Sequence, residues 1–428
     1  MKLTKCQDRA MNIALESKDH ITISGPAGCG KSFLTEQLLK EFGSDMGIAL
    51  AAPTHQAKNV LQQMAKHPAS TLHSLLRIHP ETYDDVMIFD QSKMPDLDHL
   101  RVLMVDEASM VDRDLKKIMI KSIPAACRII GIGDKFQIQP VRHNPGELSP
   151  MFTDFDLVEM EEVVRQSADS PIIQVASDIR NGGWFSTKWD SVNKRGVMQV
   201  PSVTKMMEVY LRKIQIPEDL MNYRLLAFTN DTVNKMNKVI RKHVYNTDEP
   251  FVGGEFLVMQ QPVVEETVIG RETVTETLLN NGEYVRIQHN SIQQKTKQID
   301  LPGVDKFDVE MADLIVTSEE FPDGVPFSVL WGDGEENLLS YELGESASYI
   351  KGLKRGHAQS QAWKQFWAVK KMFTQTKSLG ASTIHKSQGT TVTGVGVYTG
   401  DMSFADFTIQ SQLGYVACTR ATDWVLWI

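Results

Sequence analysis

The chain has 428 residues and a formal net charge of −9, with 23% charged and 42% hydrophobic residues. This composition is typical of globular proteins, and the length predicts at least two domains, or nearer four if small insertions are counted. No stretch approaches the roughly 18 consecutive apolar residues that a membrane helix needs, and no apolar signal core opens the sequence. We therefore expect a cytoplasmic protein without a membrane partner.

Cysteine usage and charge narrow the possible ligands. The four cysteines show no C-x-x-C pairing, which indicates neither a disulfide framework nor a zinc site and fits a reducing compartment. The negative charge argues against nucleic-acid binding by a uniformly basic surface. Any nucleic acid must therefore bind at a local site. Base stacking on aromatic rings at such a site contributes about 1–3 kcal/mol per base and needs no net positive charge.

A phosphate-binding loop is the first motif along the chain. It matches the G-x-x-x-x-G-K-[ST] pattern at Gly25, Pro26, Ala27, Gly28, Cys29, Gly30, Lys31 and Ser32. The β-branched run 20–24 before it predicts a strand, and apolar residues at helical spacing over 33–42 predict a helix. Backbone N–H groups of the loop would face phosphate oxygens, Lys31 would neutralise β/γ charge, and Ser32 would hold Mg²⁺. The motif therefore predicts binding of a nucleoside triphosphate.

The first part of the chain alternates between strand-like and helix-like segments. Short apolar runs predict buried strands at 21–24, 47–51, 102–106 and 128–133. This order predicts a doubly wound α/β domain with a parallel sheet. Residues 79–97 interrupt it, because Pro80 and Pro95 bracket a run typical of a small β-hairpin, with Phe89 as a candidate exposed residue.

A second alternation begins further along and is itself interrupted. A strand at 225–229 and a helix at 231–244 are predicted, and the pattern resumes only with strands at 395–399 and 424–428. The interruption predicts a β-barrel-like insertion followed by a helical piece. Its predicted elements are strands at 256–259, 284–288, 307–311 and 314–316, and a helix at 359–374.

Acidic residues follow the apolar strand that ends near residue 105. Asp106 and Glu107 would lie at the carboxyl edge of the sheet beside the phosphate loop, where one carboxylate serves Mg²⁺ and the other polarises the attacking water. Gln137 and Arg420 are further candidates for sensing the γ-phosphate. The competing interpretation of Arg420, taken alone, is a surface ion pair. The competing interpretation of Asp106 and Glu107 is the solvated end of a strand.

The motif series as a whole resembles a known family. The motifs are Gln7 and the segments 25–32, 52–57, 70–73, 106–109, 133–137, 164–167, 381–389 and 415–421. In order and content they resemble the superfamily 1 helicases, and most closely the phage Dda-type helicases of the RecD-like subgroup B, over nearly the whole chain. The phosphate loop is shared by many ATPases, whereas His-Lys-Ser-Gln-Gly at 385–389 and Tyr-Val-Ala-Cys-Thr-Arg-Ala at 415–421 are far more specific.

The resemblance implies an architecture. Two RecA-like P-loop domains are expected, the first carrying a β-hairpin insertion and the second an SH3-like β-barrel insertion. The implied boundaries are 1–78 with 98–170 for the first domain, 79–97 for the hairpin, 171–250 with 376–428 for the second domain, and 251–375 for its insertion. A host cytoplasmic location follows if the chain is phage encoded.

The resemblance also implies nucleotide-site roles. Gln7 would read the adenine edge, Lys31 and Ser32 would bind phosphate and Mg²⁺, and Gln137 would report the γ-phosphate. Asp106 and Glu107 would serve the metal and the water. Two arginines, Arg165 and Arg420, would act as arginine fingers, while Gln388 and Gly389 would also face the nucleotide. ATP and Mg²⁺ are thus the expected cofactors.

Single-stranded DNA would cross both RecA-like domains. The implied contacts are Pro53, Thr54, His55, Thr71 and His73 on one side and Thr383, His385 and Lys386 on the other. Thr71 and His73 have a competing interpretation as the cap and a satisfied side chain of a short helix. Hydroxyl and imidazole groups near a sheet edge also suit phosphate contacts.

Aromatic residues complete the implied DNA site. Phe89 resembles the wedge that splits the duplex in the family's hairpin, with a small hydrophobic contact as the alternative. Trp363 and Trp367 share one helix face, which is compatible with a base-stacking platform or with a core.

Two positions depart from the family pattern. Cys29 stands where Thr or Ser is more usual, and Cys418 stands where Leu is more usual. Neither cysteine replaces a ligand.

We therefore expect an ATP-dependent, monomeric DNA helicase that moves 5′-to-3′ and acts in phage replication or recombination. Its expected partners are single-stranded DNA, single-strand/duplex junctions, and single-strand-binding, replication or recombination proteins. One alternative is a translocase that displaces bound proteins without melting duplex. A second is a nucleotide-switched protein that binds a partner.

Overall fold

The computed structural model describes residues 3–43, 47–83, 86–91, 94–140, 147–164, 169–269 and 272–428. The chain forms two compact units. The larger unit comprises residues 1–213, 221–236 and 381–428, and the smaller unit comprises 214–220 and 237–380.

The first part of the larger unit is a six-stranded parallel sheet. Its strands are β1 (Ile21–Ser24), β2 (Ile48–Ala52), β3 (Ala69–Thr71), β6 (Val102–Val105), β7 (Arg128–Gly133) and β8 (Asp156–Glu159), in the order β3-β2-β6-β7-β1-β8. β1 and β6 are buried along their whole length, because apolar side chains on both faces meet helices. A separate antiparallel hairpin pairs β4 (His79–Tyr83) with β5 (Val86–Asp90).

Helices cover this sheet. They are α1 (Lys5–Glu16), α2 (Lys31–Phe42), α3 (His55–Ala65), α4 (Leu72–Leu75), α5 (Arg113–Ser122) and α6 (Pro150–Thr153). Several begin at a side chain that accepts a backbone N–H, as Thr4 does for α1 and Asp112 for α5. Their apolar residues pack into two buried clusters with the strands.

The second part of the larger unit is another six-stranded sheet. Its strands are β9 (Lys188–Asp190), β10 (Arg195–Gln199), β11 (Tyr223–Ala227), β20 (Ala381–Thr383), β21 (Val392–Val397) and β22 (Ala421–Trp427), in the order β20-β11-β21-β22-β10-β9. All neighbours are parallel except β9 and β10. The associated helices are α7 (Pro171–Arg180), α8 (Val203–Leu211), α9 (Asn230–Tyr245) and α12 (Phe407–Thr419).

The smaller unit is built on an antiparallel sheet. It contains β12 (Phe256–Met259), β15 (Tyr284–Ile287), β16 (Gln293–Ile299), β17 (Phe307–Thr317), β18 (Val325–Leu330) and β19 (Thr376–Ser378), with a separate hairpin of β13 (Val263–Ile269) and β14 (Glu272–Leu279). The helices α10 (Asp333–Gly352) and α11 (His357–Lys370) pack with β17 and with each other around Ile299, Met311, Ile350 and Phe366.

The expected fold class is confirmed: two parallel-sheet domains, a hairpin in the first and an SH3-like insertion in the second. Two details of the insertion were wrong. The strands predicted at 307–311 and 314–316 are the single strand β17, in which Met311 and Ala312 are both buried, so the alternation of buried residues changes phase between the two predicted runs. The 20-residue helix α10 was missed, because its buried residues Leu339, Ala347 and Ile350 are separated by Glu, Ser and Gly.

Candidate nucleotide and DNA site

Three loops of the first sheet meet at one edge. In the parallel register Ser24 of β1 lies beside Gly133 of β7, and Val105 of β6 lies beside Gly131. The Gly25 N–H donates to the Gly133 carbonyl at 3.0 Å. Because parallel strands place their carboxyl ends together, the phosphate loop, the Asp106–Glu107 pair and the segment 134–137 converge there.

The phosphate loop has a backbone that suits an anion. Gly28 and Gly30 have φ of +81° and +78°, a region that glycine adopts without steric cost. A Cβ at Gly30 would also lie 2.4 Å from the Gln7 amide nitrogen. α2 begins directly after Gly30, and no side chain among the described residues caps it, so its first N–H groups and its positive dipole end face the loop.

Lys31 lies folded onto its own loop. Its ammonium donates to the Gly25 carbonyl at 2.6 Å and to the Pro26 carbonyl at 3.0 Å. These carbonyls hold the cation within the loop. An ammonium has three N–H donors, so these two bonds leave a third donor that a phosphate oxygen could accept.

Gln7 braces the phosphate loop from behind. Its side chain is buried, accepts the Thr4 N–H at 2.9 Å as part of a capping box, and donates to the Cys29 carbonyl at 3.0 Å. Both ends of its amide are therefore used within the protein. A contact with adenine would require Gln7 to exchange one of these bonds, so adenine recognition stays a prediction.

The carboxylate pair has an unusual setting. Burial, followed by the adjacent Glu107 charge, raises the pKa of Asp106 above its ordinary value. Glu107 has φ of +50°, a left-handed conformation that is uncommon outside glycine and that concentrates at functional sites. Nearby, the fully buried hydroxyl of Ser109 has no hydrogen-bond partner among the described residues.

Gln137 is placed to meet a ligand. Its N–H donates to the Asp134 carbonyl at 3.0 Å, and its side chain is buried. The amide oxygen has no partner in the described part of the chain. Since a buried amide oxygen is normally satisfied, this orphan acceptor fits a group that arrives with the substrate, such as the attacking water.

The two arginines have different outcomes. Arg420 as an arginine finger stays a prediction. In the structure its guanidinium donates to the carbonyls of Val416 and Thr390, at 3.1 and 3.2 Å, and to the Thr419 hydroxyl at 3.1 Å. Its side chain is thus held by its own domain, because burial forces each N–H to find a partner. Burial lowers the pKa of Arg420, and Glu107 is the first of the opposing charges. Arg165 lies outside the described residues.

Gln388 and Gly389 connect the two sheets of the larger unit. The Gln388 amide donates to the Ile138 carbonyl at 3.1 Å and is buried. Gly389 has φ of +74°, and a Cβ there would lie 2.8 Å from the Ala57 Cβ at the start of α3. Close approach of the two domains therefore depends on glycine at this position, and a role in facing the nucleotide stays a prediction.

Several predicted DNA contacts also cap helices. Thr54 accepts the Ala57 N–H at 3.2 Å at the start of α3, and Thr71 accepts the Ser74 N–H at 3.1 Å at the start of α4. His55 is buried, and Pro53 and His73 are half-buried. The competing interpretation of Thr71 as a cap is therefore realised, although its hydroxyl proton can still be donated to a phosphate.

The contacts predicted from the second sheet follow β20. Thr383 is buried and accepts the Lys386 N–H at 3.4 Å, while the Lys386 side chain is exposed. His385 lies 5.9 Å from the Phe228 ring, and burial lowers the pKa of His385. At neutral pH this imidazole is therefore more often neutral, so Lys386 is the cationic group of the three.

The predicted aromatic contacts lie in different units. Phe89 lies on β5 of the hairpin, opposite Pro80 in the strand register. Trp363 and Trp367 stack at 6.3 Å between ring centroids in the smaller unit, and both pack against Phe366. Lys370 lies 4.7 Å from the Trp367 ring centroid. This half-buried cluster is consistent with the core interpretation, so base stacking by these rings stays a prediction.

Sequence reasoning missed three members of the site. Asp134 is fully buried and pairs with the Arg180 guanidinium at 2.6 Å, and the Tyr415 hydroxyl donates to it at 2.5 Å. Asp134 and Tyr415 stood in the motif series without a role, and Arg180 lay outside it. The sequence did contain one signal for this cluster. Asp134 is an acidic residue in a segment predicted to be buried, and a buried carboxylate needs partners.

The donor set suits a hard divalent cation. Ser32 and Asp106 carry oxygen atoms of the kind that Mg²⁺ takes when it binds through one or two protein oxygens and substrate phosphates, so their role as metal ligands stays a prediction. Within the described ranges no group of three or more His, Cys, Asp or Glu side chains forms a metal cage. Across the same ranges, no helix combines the length and apolar character needed to cross a membrane.

The phosphate loop, the carboxylate pair and the two parallel sheets define a P-loop NTPase of the superfamily 1 helicase type. The chain is 39% identical over 438 residues to the ATP-dependent DNA helicase dda of Enterobacteria phage T4, with 98% of this chain and 97% of that protein aligned. The chain therefore belongs to the Dda family of DNA helicases, and the resemblance drawn from its motifs is confirmed.

Other comparisons cover parts of the chain or the fold. The Dda helicase SH3 domain matches residues 248–378, an AAA domain matches 2–200, and the UvrD-like helicase C-terminal domain matches 379–428. The RecD2 DNA helicase of Deinococcus radiodurans is 29% identical over 49% of this chain and 30% of its own length. A Bacteroides Pif1 helicase structure with ADP-AlF3 and ssDNA is 17% identical with a TM-score of 0.47, covering 100% of this chain and 92% of that one.

Proposed function

We propose that this protein is an ATP-dependent DNA helicase that moves along one strand 5′-to-3′ and separates the duplex ahead of it. One observation carries the proposal: loop, carboxylates and Gln137 converge at one sheet edge in a chain aligned over 98% of its length to a named ATP-dependent DNA helicase. Direction of travel is inferred from family membership. Action in phage replication or recombination, alongside single-strand-binding and other proteins, is part of the same proposal.

The nucleotide roles follow from the site geometry. Loop N–H groups and Lys31 would bind the phosphates, Glu107 would orient and deprotonate the attacking water, and Gln137 would accept a hydrogen bond from that water. Arg420 would act on the transferring phosphoryl after leaving its own-domain partners, with Arg165 as the second arginine. Gln7, Gln388 and Gly389 would complete the nucleotide contacts.

A Mg²⁺ ion would be held by Ser32 and Asp106. When bound, it would neutralise charge on the β- and γ-phosphates. The raised pKa of Asp106 in the protein alone fits a carboxylate that is stabilised as an anion once a cation is present.

Movement on DNA would come from two grips on different sheets. Thr71 ends β3 of the first sheet and His73 follows it, whereas His385 and Lys386 follow β20 of the second sheet. Nucleotide binding and hydrolysis would change the distance between these two DNA-contact sites. If the two sites bind the strand tightly in alternation, each cycle moves the protein one step in a fixed direction. Trp363 and Trp367 would add stacking contacts along the path.

The test is strand separation with ATP and Mg²⁺ on matched duplexes carrying a 5′ tail, a 3′ tail or no tail. We expect separation of the 5′-tailed duplex alone, and ATP turnover that rises strongly with single-stranded DNA. Lys31→Ala is the inactive control. Turnover that no oligonucleotide changes would contradict the motor function, and separation of the 3′-tailed duplex would reverse the direction. Turnover stimulated by single strands without any separation would favour a translocase.

A further inference from the structure

A buried side-chain amide supports the turn that carries Gln137. Gln139 is 5% exposed, and its NH₂ group donates to the Gln137 carbonyl at 2.7 Å and to the Lys135 carbonyl at 3.0 Å. The Gln137 N–H is held as well, because it donates to the Asp134 carbonyl at 3.0 Å. Both backbone polar groups of Gln137 are therefore bonded within the turn, which fixes the point from which its side chain starts.

The oxygen of the same amide connects the turn to a second segment. The Gln139 Oε1 atom accepts the Ser149 N–H at 2.9 Å. Ser149 is fully buried, and its hydroxyl lies 2.6 Å from the Val111 carbonyl and 2.9 Å from the Ala108 carbonyl, which share its one proton. Ala108 directly follows Glu107 in the chain. A continuous chain of buried hydrogen bonds thus runs from the turn to the residue next to Glu107.

The partners of the Gln139 amide fix its orientation. An amide group offers two N–H donors on one side and an oxygen acceptor on the other. With the amide reversed, its oxygen would face the two carbonyls and its N–H groups would face the Ser149 N–H, so every bond would be lost. Both N–H groups of Gln139 are used within the protein, which fits a side chain that supports its neighbours.

Gln137 differs from Gln139 in one respect. Its side chain is buried, yet its amide oxygen has no partner among the described residues. A buried acceptor without a partner costs about 1–3 kcal/mol, so other bonds must hold that oxygen in place. The bond from the Gln139 amide to the Gln137 carbonyl is one of them.

We propose that Gln139 is a positioning residue for ATP hydrolysis, which holds the Gln137 amide at a fixed place relative to Glu107. A displacement of about 1 Å at a reacting group can cost about 10²-fold in rate, so a restraint of this kind acts on the chemical step. Gln139 itself touches neither nucleotide nor water in this role. The role rests on the proposed function, because it takes Glu107 and Gln137 as the groups that act on the attacking water.

The first test is Gln139→Met, which keeps an unbranched side chain of similar length and removes its three hydrogen bonds. The kcat for ATP at saturating single-stranded DNA should fall about 10–100-fold. The Kd of mant-ADP, measured by fluorescence titration with Mg²⁺, should stay within about twofold of the wild-type value, since the phosphate loop is untouched. General damage to the fold would weaken mant-ADP binding as well. Wild-type kcat in a variant with normal mant-ADP affinity overturns the proposal.

A double-mutant cycle separates positioning from a purely structural effect. In a Gln137→Ala background, Gln139→Met should lower kcat by less than about twofold, because the group that it positions is already gone. An equal fold-loss in both backgrounds overturns the proposal. If Gln137→Ala and Glu107→Gln themselves keep wild-type kcat, the proposed roles of these two residues fail, and that result is distinct from wild-type kcat in Gln139→Met alone.

Gln91→Met is the matched control. The Gln91 amide also donates to two groups, the Leu76 carbonyl at 2.9 Å and the Ser122 hydroxyl at 2.7 Å, neither of which belongs to the nucleotide site. Its kcat should equal that of the wild type. An equal fall of kcat in Gln91→Met would show that the loss is common to bridging amides, and would contradict a specific role for Gln139.

Ser149→Ala tests the other end of the chain. This change frees the Ala108 carbonyl but leaves the Ser149 N–H and the Gln139 amide in place. The kcat should fall about 3–10-fold, the range expected for one net hydrogen bond, with normal mant-ADP affinity. Added to Gln139→Met, it should lower kcat by less than about a further twofold, because both changes interrupt one chain. Losses that multiply in the double variant would contradict the proposal.

Discussion

At the scale of single residues, Glu107 combines a strained backbone with a candidate catalytic side chain. A non-glycine residue at φ of +50° costs of order 1–3 kcal/mol and persists only where the surrounding structure over-determines it. Here the surroundings are β6 on one side and the short 3-10 helix Ala108–Met110 on the other. Glu107 therefore takes this conformation directly after β6, at the sheet edge where the phosphate loop lies.

Glu107→Gln tests the role of this side chain. Removing the base while keeping the shape should lower DNA-stimulated ATP turnover by about 10²–10⁴-fold, the usual contribution of general acid–base catalysis. Nucleotide affinity should stay close to the wild-type value, as measured by mant-ATP titration. Glu41→Gln, an exposed position on α2, is the control and should leave turnover unchanged. Near-normal ATP turnover in Glu107→Gln would show that Glu107 does not activate the attacking water.

At the scale of elements, a buried carboxylate joins two segments that are distant in sequence. Asp401, in the loop after β21, is 4% exposed and accepts the N–H groups of Phe228 and Thr229 at 3.0 and 2.9 Å and the Thr229 hydroxyl at 3.0 Å. These groups lie between β11 and α9, where the backbone leaves the sheet and its donors need acceptors. Asp401 therefore fixes the exit from β11.

Asp401→Ala should lower the stability of the larger unit by about 2–4 kcal/mol, because it leaves buried donors without a partner. Asp401→Asn should lose less, since its amide oxygen can still accept. The measurement is the midpoint of the first transition in urea, as a chain of several domains does not unfold in two states. Asp423→Ala, exposed on β22, is the control; an equal loss there would point to a general effect of charge removal.

A variant in the β4–β5 hairpin can distinguish the helicase proposal from the translocase alternative. Phe89→Ala should abolish or greatly slow separation of a 5′-tailed duplex, since an apolar wedge must offset unstacking of about a few kcal/mol per step. ATP turnover on single-stranded DNA should persist, because the nucleotide site is untouched. Both rates are measured on the same preparation. Ile88→Ala, one residue earlier in β5, is the control. If Phe89→Ala separates the duplex as fast as the wild type, Phe89 is not the wedge.

At the scale of the whole molecule, the charge of −9 limits how DNA can be held. A protein that relied on many phosphate contacts would lose affinity steeply with salt. In this chain the contacts inferred for DNA are mostly neutral, with Lys386 as the named exposed cation. Hydrogen bonds and stacking would then supply most of the affinity.

The affinity for single-stranded DNA should therefore depend only weakly on salt, with a slope of log K against log salt of about −0.7, as expected for one phosphate neutralised by Lys386. Lys386→Ala should make the slope shallower by about 0.7. Fluorescence anisotropy of a labelled oligonucleotide at several salt concentrations gives both values. Lys40→Ala, exposed on α2, should leave the slope unchanged. A much steeper wild-type slope would show an extended basic path that the sequence does not suggest.

Several elements could be predicted from the sequence and others could not. The strands β1 and β7 were predicted at their observed bounds, because a buried parallel strand is a short apolar run between breakers. The edge strand β16 was missed, since six of its seven residues are exposed and polar and only Ile299 is buried. The hairpin β13–β14 was missed as well, and its pairing is a contact between segments that local patterns do not encode.

The sequence by itself determined the chemistry of the phosphate loop and of the carboxylates after β6. Phosphate binding needs glycines, a lysine and a hydroxyl at fixed spacing on one continuous segment, so the pattern Gly25–Ser32 is sufficient. Only the tertiary structure decided which distant groups meet them. Asp134, Arg180 and Tyr415 come together, and Arg420 turns to its own domain, because each buried polar group takes the nearest available partner once the sheets are packed.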